Sequence, residues 1–308
     1  MADRKKWGVA AFLLALSTGA AAGIVDDVRE AIEARNLPAA QAELTAYRAQ
    51  HGADAEYLEG LSWVGRAALV SQQYETAIDA AKQTQTLSGD LLKTRKLDAD
   101  EHLPLALGAA YEVEAQALAA TGRKPQAIAL LRSGLQKYGE TSIRARIQKN
   151  LNMLMLVGQT APVIKEDEWI GAKPPALATM KGSPVLLFFW AHWCVDCKGE
   201  APILARLRTE YEMKGLKFMA PTKRYGYVAR GDDAKPAEEN TYIQKVWEQY
   251  YGPLGGVPVP LNKANFDVYG ASTTPTLVLV DKSGKIAFYH PGALPYEELR
   301  AAIDKVVQ

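Results

Sequence analysis

Cysteine is nearly absent: the 308-residue chain has two, Cys194 and Cys197. That excludes a disulfide-rich scaffold. A structural zinc site takes four Cys or His ligands, and the adjacent His192 would bring this set only to three, so no metal is expected. Covalent haem attachment needs His directly after the second cysteine, where this chain has Lys198. Neither sign of charge is in excess, with 36 basic against 35 acidic residues and a net charge of +1. Such a chain has no broad field to draw in nucleic acid or an anionic membrane, so no nucleic-acid partner is expected.

What is present suits a soluble chain of two domains, with 48% hydrophobic and 23% charged residues. The N-terminus reads as a secretory signal peptide over residues 1–22. Arg4, Lys5 and Lys6 precede the apolar run Trp7–Leu16, and Ala20-Ala21-Ala22 offers a small-residue cleavage site before Gly23. The competing reading is an uncleaved anchor, since the nineteen residues between Lys6 and Asp26 carry no charge. Both readings put the bulk of the chain outside the cytoplasm, in the periplasm or an equivalent space.

Residues 23–157 are rich in Ala, Leu, Gln, Glu, Lys and Arg with apolar positions at helical spacing, which predicts an all-α domain. Within it Leu61, Val64, Gly65, Ala68, Tyr74, Ala77 and Ala81 make a pattern that partly returns around Tyr111, Ala115, Leu118, Ala127 and Leu131. This resembles the tetratricopeptide repeat, a helix–turn–helix unit, although Ala77 and Ala127 stand 50 residues apart and Gln72 occupies the turn position that Gly122 fills in the second copy. The extra length is assigned to Leu87–Glu101. A stack of such units would present a concave surface for a protein partner.

From Val157-Gly158 the texture changes to short segments punctuated by Gly and Pro. Val185–Trp190 reads as a buried strand, Glu200–Lys214 as a helix and Leu216–Ala220 as a strand. Thr276–Val280 and Lys285–His290 form a hairpin about Asp281–Gly284, and Tyr296–Val307 is a closing helix. This order implies a mixed central sheet flanked by helices in residues 158–308, with an insertion at about 221–261. The cysteines, spaced Cys-x-x-Cys, fall where the first strand gives way to a helix, whose N-terminal N–H groups favour a thiolate. Cys194 is therefore the candidate nucleophile and Cys197 its resolving partner.

Four markers in this order resemble the exported TlpA/ResA-like branch of the thioredoxin fold. They are Val157–Pro162, Phe189–Cys194, Pro202 five residues after Cys197, and Thr274-Pro275-Thr276. The resemblance implies a thiol–disulfide oxidoreductase in which Cys194 is an exposed nucleophile and Cys197 resolves the mixed disulfide. It implies a cis-proline at Pro275, whose loop, with Thr274 and Trp193, meets an extended substrate. Glu200 matches a glutamate implicated in proton transfer, while its other reading is a first-turn residue favoured by the helix dipole. Pro202 matches a helix kink. The implied partners are a protein disulfide substrate and an electron-donating thiol protein, with no cofactor beyond the Cys194–Cys197 disulfide.

Departures from the family pattern concern direction and proton transfer. Asp196 stands where many relatives have proline. A carboxylate beside the nucleophile opposes its thiolate, with Lys198 as a partial offset, which favours a disulfide reductase over an oxidase. Phe188 replaces the buried aspartate of cytosolic thioredoxins, which raises the value of Glu200. His192 is a candidate modulator near neutral pH, against the reading of a turn histidine that fills surface space. The aromatic face of a helix at about Ala237–Tyr251 is expected to pack inward. Two other functions stay open: a helical adaptor with a vestigial redoxin half, and a thiol peroxidase, which Ala191 and Leu187 disfavour because peroxiredoxins carry threonine and proline there.

Overall fold

The computed structural model describes residues 23–308, so the signal-peptide reading of residues 1–22 lies outside the described residues. Among the described residues seven α-helices come first: α1 (Ile24–Glu33), α2 (Leu37–His51), α3 (Ala55–Val70), α4 (Tyr74–Leu91), α5 (His102–Ala120), α6 (Lys124–Tyr138) and α7 (Arg144–Met155). The first six pack as three helix pairs, α1 with α2, α3 with α4 and α5 with α6, and α7 lies against α5 and α6, around one core that holds the fully buried Ala77 and Ala127. Each of the three pairs turns on a residue of left-handed backbone: Arg35 (φ 57°), Gln72 (φ 59°) and Gly122 (φ 78°). The hydrogen bonding repeats as well, because the next N–H reaches back across the turn each time, from Asn36 to Ala31, Gln73 to Ala68 and Arg123 to Leu118. Glycine adopts this conformation freely, whereas Arg35 and Gln72 hold it at a cost. Of the Leu87–Glu101 stretch that holds the extra length, the first part is helical: α4 continues to Leu91, and Ser88 is buried.

Among the described residues, strands appear only beyond residue 168. They are β1 (Trp169–Ile170), β2 (Val185–Phe189), β3 (Lys217–Met219), β4 (Val259–Pro260), β5 (Thr276–Val280) and β6 (Ile286–Pro291), with helices α8 (Val195–Tyr211), α9 (Pro236–Tyr251), α10 (Lys263–Tyr269) and α11 (Tyr296–Val307) between and after them. Four strands make the central sheet in the order β3-β2-β5-β6. The β2/β3 pair is parallel and the β2/β5 and β5/β6 pairs are antiparallel. This is the expected mixed sheet flanked by helices. Every residue of β2 and β5 is buried, since helices cover both faces and the strands need no polar alternation.

Leu186, Phe188, Leu277 and Leu279 face one core with α8, α9 and α11. Val185, Leu187, Phe189 and Val278 face the other with Phe266 and Tyr269 of α10. Burying each such side chain is worth roughly 1.5–3 kcal/mol. Leu156, just after α7, joins the second core. There α7 lies against α10: Asn152 Nδ2 donates to the Val268 carbonyl at 3.3 Å, and a Cβ on Gly270 would overlap the Lys149 backbone. The helical and α/β halves thus meet through a close backbone approach as well as through the chain connection.

Candidate active site

β2 ends at Phe189 and α8 begins at Val195, so Trp190–Cys194 form the turn that carries the site. Trp190 is fully buried, with its Nε1 donating to the Ala220 carbonyl at 3.1 Å and its own carbonyl accepting from Thr222 Oγ1 at 2.9 Å. Its ring packs on Trp247 and Tyr251 of α9, with centroids 5.2 and 5.0 Å away. The aromatic face of α9 is therefore a support under the turn.

Cys194 and Cys197 are joined as a disulfide. Cys194 is the N-cap of α8, and the Cys197 N–H points at its sulfur from 3.0 Å. Sulfur here takes the place of the oxygen of an ordinary N-cap, with the positive end of the helix behind it. On reduction the same N–H would face a thiolate, and a charge-assisted bond is the stronger kind. Across the site, the carbonyl oxygen of Thr274 lies 3.3 Å from Cys194 Sγ, and the Thr274–Pro275 bond is cis. The Thr274 hydroxyl is buried without a hydrogen-bond partner among the described residues.

The expectation of an exposed nucleophile needs correction. Cys194 is 3% exposed, because the Thr274 loop covers it, while its neighbours Trp193 (47%) and Val195 (78%) stand in solvent. Trp193 leans edge-on against Tyr225, 5.5 Å between ring centroids. Asp196 is exposed in the first turn of α8, and Lys198 Nζ lies 4.7 Å over the Tyr250 ring.

Glu200 sits one turn beyond Cys197 and is 2% exposed. Its oxygens receive only long contacts from the Leu294 N–H, 3.4 Å each. Burial pushes its carboxyl up to about 7, with the charge of Asp196 adding to the effect and the Leu294 N–H opposing it. Such a carboxyl can hold or release a proton near neutral pH. The raised value does not fit the alternative of a first-turn glutamate favoured as a carboxylate by the helix dipole. Pro202 is accommodated within α8, with its ring exposed.

His192 is also corrected: it does not fill surface space but is 1% exposed. Its surroundings come from the insertion, since Nε2 lies 3.3 Å from Oε1 of Glu239 on α9. Glu239 was not anticipated. A signal was available, because it shares the buried stripe of α9 with Ile243, Val246 and Trp247, and a carboxylate on an apolar stripe marks a partnered group. The structure thus brings Cys194, Cys197, Glu200, Thr274 and Pro275 together, places Trp193 and Asp196 at the rim and sets His192 behind the turn. Among the described residues, no group of three or more His, Cys, Asp or Glu side chains is arranged to hold a metal ion.

The C-terminal half resembles known proteins. Residues 175–307 match the family described as a thioredoxin-like domain. Thiol-disulfide oxidoreductase ResA of Bacillus thuringiensis (strain Al Hakam) is 28% identical over 152 residues, which is 49% of this chain and 79% of that protein. Thioredoxin-like protein YneN of Bacillus subtilis (strain 168) is 26% identical over 148 residues, 48% and 78% of the respective chains. Among solved structures, the thioredoxin domain of a thiol-disulfide oxidoreductase from Bacteroides vulgatus aligns with 49% of this chain and 98% of its own, at 23% identity and a TM-score of 0.38. The C-terminal half of the chain is a thioredoxin-like domain, and thiol-disulfide oxidoreductases of the ResA kind are among its relatives.

Proposed function

We propose that the protein is an exported thiol–disulfide oxidoreductase that reduces disulfides of partner proteins through the Cys194/Cys197 dithiol. The observation that carries this reading is the position of Cys194: its sulfur caps α8 under the Cys197 N–H and lies against the Thr274 carbonyl beside Pro275. The Cys194 thiolate attacks one sulfur of a substrate disulfide, and the other substrate sulfur leaves as a thiolate. Cys197 then gives its proton to the Glu200 carboxylate and attacks Cys194. The second substrate sulfur is released, Cys194–Cys197 is oxidised, and two electrons have passed to the substrate. A donor thiol protein returns them by the same exchange in reverse, with no cofactor beyond the disulfide.

An extended substrate segment would lie along the Thr274–Pro275 loop, against the exposed Trp193. Asp196 adds a negative charge near the nucleophile and favours the reducing direction. Export rests on the basic, apolar and small-residue order of residues 1–22. Residues 23–157 supply a docking surface, and residues 158–308 the chemistry. The test is a Cys197→Ser variant, which lacks the resolving thiol. It should accumulate a mixed disulfide through Cys194 with a disulfide-bonded model protein, whereas a Cys194→Ser, Cys197→Ser control should not. Absence of that adduct, together with failure of the dithiothreitol-reduced wild type to reduce the model protein, would favour the adaptor reading.

A further inference from the structure

The active-site turn has a second wall that the thiol chemistry leaves unassigned. Glu239 is buried, and besides approaching His192 its carboxylate accepts the N–H groups of Tyr225 at 2.5 Å and Gly226 at 2.9 Å. One carboxylate therefore gathers α9, the loop at Tyr225–Tyr227 and the turn that carries Cys194. The rings of Tyr225, Tyr227 and Tyr242 stand edge-on around the imidazole with centroids 5.5, 5.3 and 5.3 Å away. Tyr225 in turn meets Trp193. A network of this kind fixes one ring orientation for His192 and one position for the loop.

A buried carboxylate needs compensation, and here two backbone N–H groups supply it, with His192 Nε2 3.3 Å from Oε1 but not aligned for a hydrogen bond. Among the described residues no Lys or Arg forms an ion pair with Glu239. The charged and titratable groups around His192 are Glu239, Tyr225, Tyr227 and Tyr242 from the insertion and Lys198 from α8. Burial is the largest influence on His192 and, with Lys198, holds it below its usual 6.5, while Glu239 pulls the other way. Held below its usual value, the imidazole is neutral at neutral pH. His192 stands two residues from Cys194, whose sulfur must itself become negative to react.

We propose that Glu239 is a positioning residue of the thiol site: it holds His192 in the Nε2–H tautomer, pins the Tyr225–Tyr227 loop behind Trp193, and through its charge limits the thiolate fraction of Cys194. The proposal rests on Cys194 being the nucleophile. Glu239→Gln removes the charge at nearly constant shape. In the oxidised full-length protein, NMR titration should show the His192 midpoint falling by about half a pH unit in this variant, because the carboxylate that favours imidazolium is gone. In the reduced protein, thiolate ultraviolet absorbance should show about twofold more Cys194 thiolate below the midpoint.

Glu239→Asp, which keeps the charge, should return both readings toward wild type. Unchanged His192 and Cys194 midpoints in Glu239→Gln, or an aspartate variant identical to the glutamine one, would overturn the proposal. Should Glu239→Gln fail to fold, the nitrogen spectrum of His192 in the wild type decides, because an Nδ1–H tautomer at neutral pH is incompatible with the assigned role. A wild-type Cys194 that attacks no disulfide would instead remove the proposed function, while the His192 titration stays readable in the oxidised protein.

Discussion

Replacing Glu200 by glutamine should make the protein more stable at alkaline pH and a slower thiol exchanger. The folded state holds this carboxyl at about 7, against an ordinary 4.5, chiefly because burial disfavours the ionised form. Below the ordinary value both folded and unfolded chains are protonated and the group contributes nothing. As the pH rises, the unfolded chain releases the proton first while the folded chain keeps it, so stability falls between those two values and then levels off. At about 1.4 kcal/mol per pH unit the loss reaches about 3 kcal/mol by pH ~8. Glutamine carries no proton to lose. Chemical denaturation of the oxidised protein at about pH 5 and about pH 8 should therefore show wild type losing about 2.5 kcal/mol more than the variant across the interval, the rest of the loss lying below pH ~5. Other groups titrate in both proteins and cancel in this difference. The same variant should slow thiol exchange at neutral pH by roughly 100-fold, the lower end of what a positioned acid or base contributes. Parallel stability profiles for the two proteins would refute the burial argument, and an unchanged exchange rate would refute the proton role.

Two further outcomes follow from backbone geometry. Gln72→Gly should raise the unfolding free energy by about 1 kcal/mol, since glycine relieves the left-handed strain at a modest cost in chain entropy, and a lower denaturation midpoint would count against it. Gly270→Ala should destabilise by more than about 2 kcal/mol, because Gly270 has φ 62° and its new methyl group would meet the Lys149 backbone, a contact that cannot give way as a flexible side chain can. Limited proteolysis near Leu156 should speed up in that variant, and an unchanged digestion pattern would contradict the close approach of α7 to α10.

The elements that could be read in advance are those whose signal is local. β2 is an unbroken apolar run and β5 is one after its first residue, Thr276, and the hairpin to β6 turns on Asp281, whose side chain accepts from the N–H groups of Ser283 and Lys285. The Cys-x-x-Cys pair at a strand-to-helix turn is equally local. What could not be read depends on segments distant in the chain. Cys194 is buried by a loop 80 residues away, and the environment of His192 is set by Glu239 on the insertion helix, so neither neighbour in sequence reveals it. The short helix α10 was missed although Asn262 caps its start and Gly270 ends it in a left-handed turn, because seven residues give too few periods to stand out. Gln72 shows the reverse case, in which the pattern of a turn outweighed the preference of the residue that fills it.

The shielded sulfurs have a kinetic consequence. Small thiols and oxidants in the surrounding medium react in proportion to the collisions that reach sulfur, and with Cys194 and Cys197 almost wholly covered most of those collisions are unproductive. Under the proposed function, a protein segment that first settles on Trp193 and the Thr274 loop gains residence time that a free thiol lacks. Access, more than reduction potential, would then decide which disulfides exchange with this site, and the couple could stay out of equilibrium with a thiol pool of quite different poise.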